Sequence, residues 1–282
     1  MPEGDILRRT ARTLREAFVG SVLVRAELRW PDLAGLDLTG REVLAVESYG
    51  KHLLVRLDDA RTLHSHLRME GSWRLARTGS REAAGRGAFV RAVLANERWT
   101  AVGDRLGMMH VVPTRDEHTL LGHLGPDVLA DDFPTVGLAE ARRRLDERLG
   151  VPIGEVLLDQ RVVAGIGTMF AAESLWAREV WPWLPAGEVT DPVTLLMAAR
   201  RLMERSVLSA MPTATGEGGR GPSAWVHDRA GKPCRRCRTA IVRGVVRLPP
   251  TERPMFWCPS CQPRPAGSGD PVRGRPVAPA GT

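Results

Sequence analysis

Lysine is nearly missing from this chain. Of its 40 basic residues only Lys51 and Lys232 are lysines; the rest are arginines. Against 33 acidic residues they leave a net charge of +7 and a pI of about 10.1. Guanidinium suits a polyanion because its planar fork meets phosphate bidentately. Arginine in place of lysine also follows from G+C-rich coding alone, so it is the net charge that points to nucleic acid. Missing too is any apolar run near the roughly 18 residues that would span a bilayer, and the first fifteen residues are too polar for a secretory signal. These absences exclude an integral membrane or secreted protein and predict a soluble, cytosolic chain with no membrane partner. Cysteine is absent outside positions 234–261, which in a reducing compartment argues against disulfides and for a metal. No internal repeat is present, and segment 264–282 lacks apolar patterning, as a disordered tail would.

What is present organises the 282 residues into two domains and a small module. Residues 3–18 predict an amphipathic helix, with Ile6, Leu7, Ala11, Leu14, Ala17 and Phe18 at helical spacing and Gly20 to end it. Pro2 at its tip suits a first helical turn, where its missing N–H goes unneeded. SVLVRAEL, REVLAVES, KHLLVRLDD, RTLHSHLRM, AFVRAVLANERW and GMMHVVP then predict short strands of a sandwich or barrel. RTLHSHLRM alternates, with Leu63, Ser65, Leu67 and Met69 on one face and Thr62, His64, His66 and Arg68 on the other, which permits Met69 as a core residue. After LGHLGPDVLADDFP the period turns helical. GLAEARRRLDERL, PIGEVLLDQRVV, TMFAAESLWAREV and DPVTLLMAARRLMERSVLSAM predict four helices, the last capped by Asp191 with Pro192 at its first position.

The strongest chemical signal is Cys234-Arg-Arg-Cys237 followed by Cys258-Pro-Ser-Cys261. Two CxxC pairs place four thiolates on facing knuckles, a closed tetrahedral site for one structural zinc ion. Between them VVRLPPTERPMFW predicts a β-hairpin with Arg253 near its tip, in isolation one exposed arginine among many. LLDQRVVAGIGTMFAAESLW predicts two helices joined by a glycine turn. It fits both an ordinary αα-hairpin and a phosphate site at the helix N-terminus beside Thr168. Lys51, in SYGKHLL, falls at a strand-to-strand turn, where a solvated lysine is ordinary.

In order along the chain, PEGD, GKHLL, HLRMEGSW, LGPDVL, LLDQRVVAGIG and RxxxxCPxCQ resemble the formamidopyrimidine-DNA glycosylase/endonuclease VIII family over positions 1 to about 263. The resemblance implies an α+β multidomain fold. It comprises an N-terminal helix with a two-sheet β-sandwich (1–115), a linker (116–132), a helix–two-turn–helix DNA-binding domain (133–222), a zinc-binding β-hairpin finger (226–263) and the tail (264–282). It implies a bifunctional DNA glycosylase and abasic-site lyase, acting as a monomer on damaged DNA in the cytoplasm at the nucleoid.

In that family the trimmed terminal proline is the nucleophile. Pro2 would displace the base at C1′ and form a Schiff base, whose cationic iminium acidifies C2′–H and so drives strand cleavage. A terminal amine titrates near neutrality, and a helix N-terminus disfavours its protonated form. Glu3 is the implied acid/base, Lys51 the phosphate contact and proton donor in β-elimination, and Arg253 the phosphate grip assigned to δ-elimination. Glu173 matches a family carboxylate near the sugar, although a helix-surface glutamate is equally ordinary. The damaged nucleotide is flipped out, and Met69 aligns with a residue that fills the vacated stack.

Two departures stand out. Thr168 stands where the family has asparagine, and Asp104-Arg105-Leu106-Gly107 is shorter than the family's Arg-Arg-Phe-Gly-like loop and lacks its aromatic, which weakens the pairing of Arg105 with the orphaned base. The short loop and RPMFWCPSCQ favour the endonuclease VIII branch and oxidised pyrimidines. Oxidised purines (formamidopyrimidine, 8-oxoguanine) and an inactive damage-binding protein are the alternatives. The base-recognition loop is expected within 211–225.

Overall fold

The computed structural model describes residues 2–209, 211–217, 223–247 and 251–266. Met1, and with it the question of its removal, lies outside the described residues. So do 218–222 of the glycine-rich loop, 248–250 of the expected hairpin turn and 267–282 of the expected tail. The chain divides into two compact units, Met1–His123 and Leu124–Thr282, and the break falls inside the segment read as a linker.

In the first unit, α1 (Gly4–Phe18) buries Leu7, Ala11, Leu14 and Phe18, the stripe that its three- and four-residue spacing dictates. Glu3 is the N-cap in extended backbone, and its carbonyl accepts from Ile6 and Leu7 N–H at 3.1 and 3.3 Å. Pro2 therefore precedes the helix instead of occupying its first turn, because helical dihedrals begin only at Gly4. Eight antiparallel strands follow: β1 (Arg25–Leu28), β2 (Val43–Tyr49), β3 (His52–Leu57), β4 (Arg61–His66), β5 (Ser72–Arg77), β6 (Val90–Ala95), β7 (Trp99–Asp104) and β8 (Met108–Pro113). They form two four-stranded sheets, ordered β1-β6-β7-β5 and β2-β3-β4-β8. The buried face of α1 shares one apolar core with both sheets, including Val46, Leu53, Val55, Leu63, Leu94, Ala101 and Met109. Both faces of β4 are buried: Leu63 on the apolar side, and Thr62 and His64 (0 and 1 % exposed) on the polar side. The polar layer is satisfied internally, since the Thr62 hydroxyl donates to Glu117 at 2.6 Å and Arg56 donates to the same carboxylate at 2.7 and 2.8 Å. A one-turn helix, α2 (His118–Leu121), follows Glu117.

The second unit holds α3 (Leu138–Asp146), α4 (Ile153–Leu158), α5 (Thr168–Ala177), α6 (Pro192–Leu208) and the antiparallel pair β9 (Val242–Val246) and β10 (Arg253–Trp257). Asp191 caps α6 by accepting from Thr194 N–H at 2.8 Å, with Pro192 at the first position, as its sequence dictates. α4 stops at Leu158 instead of running on through Val163, because polar side chains there bond the backbone in place of the helix. Asp159 accepts from Arg161 N–H at 3.0 Å. Gln160 accepts from Gly165 N–H at 3.0 Å and donates to the Ile166 carbonyl at 2.9 Å, closing a tight double turn in which Gly165 takes φ +104°. The hairpin forms as expected, but its apolar face is not a separate module. Val246, Met255 and Trp257 belong to the same core as Phe133, Ile153, Phe170 and Met203, and the Trp183 indole donates to the Val245 carbonyl at 2.9 Å. Among the described residues no helix is long and apolar enough to cross a membrane.

Candidate active site and metal centre

The residues singled out by sequence fall in both units. In the first, Pro2 is half-buried just ahead of α1, and Glu3 is 2 % exposed. The amide dipoles of α1 thus point their positive end at this proline and carboxyl. Lys51 lies half-buried in the two-residue turn between β2 and β3, where Gly50 supplies the positive φ (+55°) that a turn this tight requires.

Next to it the sheet carries four imidazoles on one face: His52 from β3, His64 and His66 from β4, and His110 from β8. Cross-strand pairing aligns His52 with His66 and His64 with His110. His52 Nδ1 lies 2.7 Å from His64 Nε2, and His64 Nδ1 lies 3.3 Å from His110 Nδ1. Burial holds three of these rings in the neutral form, His52 down to about 3 and His64 and His66 to about 4. Alternation within β4 puts His64 and His66 on one face; cross-strand register adds His52 and His110, and that register and the burial are what sequence reading missed.

Just beyond this end of β4 the chain turns through Met69, which is 65 % exposed and so not a core residue. β4 ends at His66 and Arg68 takes a left-handed conformation, so the strand alternation does not reach Met69. Arg105, also left-handed at φ +49°, forms an ion pair with Glu70 at 3.2 Å and lays its guanidinium 3.9 Å from the ring centroid of Phe89. Its amide donates to the Phe89 carbonyl at 2.9 Å, and Phe89 is 51 % exposed. An aromatic from a different loop, ahead of β6, thus lies against Arg105. Only long-range pairing reveals it.

In the second unit, Thr168 is the first residue of α5 and is 5 % exposed, with Gly167 in the extended N-cap position. Glu173 is not on the helix surface. It is fully buried, and its carboxylate accepts from the backbone N–H groups of Trp225, Val226 and His227 at 2.8–2.9 Å. Burial pushes its carboxyl up while these three donors oppose the shift. Arg253 is exposed at the start of β10, opposite Val246, with its guanidinium donating to the Glu252 carbonyl.

The sulfurs of Cys234, Cys237, Cys258 and Cys261 lie within 4.8 Å of one another. Measured pairs are 3.9 Å (Cys234–Cys261), 3.4 Å (Cys237–Cys258) and 3.5 Å (Cys237–Cys261). A tetrahedral tetrathiolate with metal–sulfur bonds of about 2.3 Å has edges of about 3.8 Å, so these four can hold a metal ion. Arg236 and Cys261 N–H groups donate to the sulfurs of Cys234 and Cys258 at 3.4 Å. Buried Gln262, which follows the last cysteine, accepts from Cys258 N–H at 3.0 Å and donates to the Val180 carbonyl at 2.8 Å, tying the knuckle to the segment just after α5.

Comparison with known proteins adds three findings. Residues 1–109 match the model of the formamidopyrimidine-DNA glycosylase N-terminal domain. The chain is 41 % identical to the probable endonuclease 8 2 of Streptomyces coelicolor, covering 95 % of this chain and 97 % of that one. It is 38 % identical to the DNA-(apurinic or apyrimidinic site) lyase Nei2 of Mycolicibacterium smegmatis, covering 93 and 99 %. Among solved structures, MutM (Fpg) from Thermus thermophilus superposes with a TM-score of 0.73 at 29 % identity, over 93 % of this chain and 98 % of that one.

Proposed function

This chain belongs to the formamidopyrimidine-DNA glycosylase/endonuclease VIII family, and from that premise we propose a bifunctional DNA N-glycosylase and abasic-site lyase that excises oxidised pyrimidines. The observation that carries the reading is the tip of α1, where Pro2 sits ahead of the helix beside a buried Glu3. Once Met1 is trimmed, Pro2 offers a secondary amine whose protonated form the helix dipole disfavours. Its lone pair attacks C1′ and the C1′–N bond to the base breaks, the base leaving with a proton from Glu3. The amine sheds its N–H proton as the C1′–O4′ bond opens and O4′ takes up a proton, and the resulting iminium withdraws electrons from C2′. Loss of the C2′ proton then expels the 3′ phosphate, and a second elimination expels the 5′ phosphate.

Lys51 and Arg253 are assigned to the phosphates, Lys51 also giving a proton in the first elimination. Thr168, with its hydroxyl at the start of α5, is a further backbone contact. Met69 and Arg105 are read as filling the stack left by the flipped nucleotide, with Phe89 added to them. Glu173 serves by holding segment 225–227, a structural part and not a chemical one. The cysteines hold one structural zinc ion, which closes the knuckle and supplies no chemistry. The pyrimidine preference rests on the short Arg105 loop and on relatives named endonuclease 8 and Nei2. The domain plan is the one given above, with its linker at 116–132 and a finger whose apolar face packs into the core of the helical domain. One chain carries every proposed group, so a monomer suffices, and its substrate places it in the cytoplasm at the nucleoid.

Borohydride trapping on a duplex with one abasic site tests the mechanism. Wild type is expected to give a covalent adduct and Pro2→Gly to lose most of it, since a primary amine replaces the secondary one at the same tip. Equal trapping by the two proteins, or none by either, would overturn the reading.

A further inference from the structure

Trp176, in the last turn of α5, is buried, yet its indole N–H finds no conventional hydrogen-bond acceptor. A buried donor left without an acceptor costs about 1–3 kcal/mol, so its orientation calls for a partner. Arg236, whose guanidinium lies over this ring, gives its amide to the Cys234 sulfur at 3.4 Å. That brings the indole beside this fully buried thiol, whose pKa it helps to lower. The ring has little freedom to turn away. Trp225 stacks on it at 5.4 Å and 15°, and the Arg236 guanidinium lies 4.2 Å from its centroid, anchored to Glu179 at 2.6 Å.

We propose that Trp176 is a positioning residue for the metal centre: its indole N–H donates to the Cys234 thiolate once a metal ion is bound. A thiol sulfur is a weak acceptor, whereas a metal-bound thiolate is a strong one. The donor is thus matched to a metal-bound sulfur, which accepts more strongly than a thiol. Donors around a ligating atom orient it and tune the metal's affinity. The same ring stacks on Trp225, whose amide donates to Glu173, so the metal centre is joined through two tryptophans to segment 225–227.

The inference rests on the cysteine cluster being a metal centre, and the test separates the two. Full-length Trp176→Phe, loaded with zinc, keeps an aromatic ring against Trp225 and loses the donor. It is expected to release zinc to a chromophoric chelator about 10-fold faster than wild type, and its cobalt-substituted form to show shifted sulfur-to-metal charge-transfer bands. Trp225→Phe, which keeps the Trp176 donor, should leave those bands in place. In wild type the Trp176 indole proton resonance is expected to move downfield on metal loading, a readout independent of how well any variant folds. If wild type binds zinc but Trp176→Phe matches it in release and spectrum and the resonance stays put, the positioning role is wrong. If wild type binds no metal, the reading of the cluster itself fails.

Discussion

Glu173 brings a carboxylate into the core of the second unit, where its charge is met by backbone amides. Three N–H groups from consecutive residues converge on it, an arrangement that fixes segment 225–227 as firmly as a turn of helix would. Replacing it with glutamine keeps the size but swaps one acceptor oxygen for a donor aimed at an N–H. Glu173→Gln is therefore expected to destabilise the protein by about 1–3 kcal/mol, read as a lower midpoint in urea unfolding. An unchanged midpoint would mean the segment is held by something else. No feature of AAES signals this role: a glutamate among alanines reads as helix surface, and only the fold brings residues more than fifty positions away against it.

At the level of elements, what the sequence disclosed and what it hid divide by the range of the cause. α1, the Asp191 cap and the CxxC knuckles are set by local spacing and by side chains bonding within a turn, and they were legible. The early end of α4 is also local, but there a helical apolar period competes with Asp159 and Gln160 bonding the backbone, and the outcome depends on geometry that a pattern does not carry. The imidazole layer of β3, β4 and β8 depends on strand register, which single strands do not reveal. That layer has a pH signature. His52, His64 and His66 are held neutral by burial, facing Lys51, Arg68, His110, His123 and Glu117. Below the ordinary histidine value of 6.5 the unfolded chain gains protons that the folded sheet refuses until about 4 to 3, so stability falls as pH falls through that window. Thermal unfolding between pH 7 and 4 should show this fall, and His64→Gln should make it shallower. Equal slopes would show that these rings are not refusing protons.

For the whole molecule, a net charge of +7 suits a polyanion, and the number of phosphates it neutralises sets how binding responds to ionic strength. Each phosphate neutralised adds about 0.9 to the slope of log affinity against log salt. Arg253→Ala is expected to reduce that slope by about one and to weaken binding alike for every sequence tested, by fluorescence anisotropy on a labelled duplex. An unchanged slope would remove Arg253 from the phosphate contacts. The broad plan of sandwich, helices and metal hairpin was readable because each part carries its own periodicity or spacing. The sharing of one core between helices and hairpin was not, since apolar residues such as Met255 and Val246 say that they are buried without saying against what. The same blindness hid Phe89, whose partner Arg105 lies on another loop.

That last pair has a bearing on how the rim around Met69 meets whatever it touches. An arginine on a surface loop ordinarily samples many rotamers, and fixing it upon contact sacrifices entropy. Here the side chain already rests over Phe89 and pairs with Glu70, which narrows that choice beforehand. Complex formation thus begins from a surface already set in shape, and more of the contact energy survives as affinity.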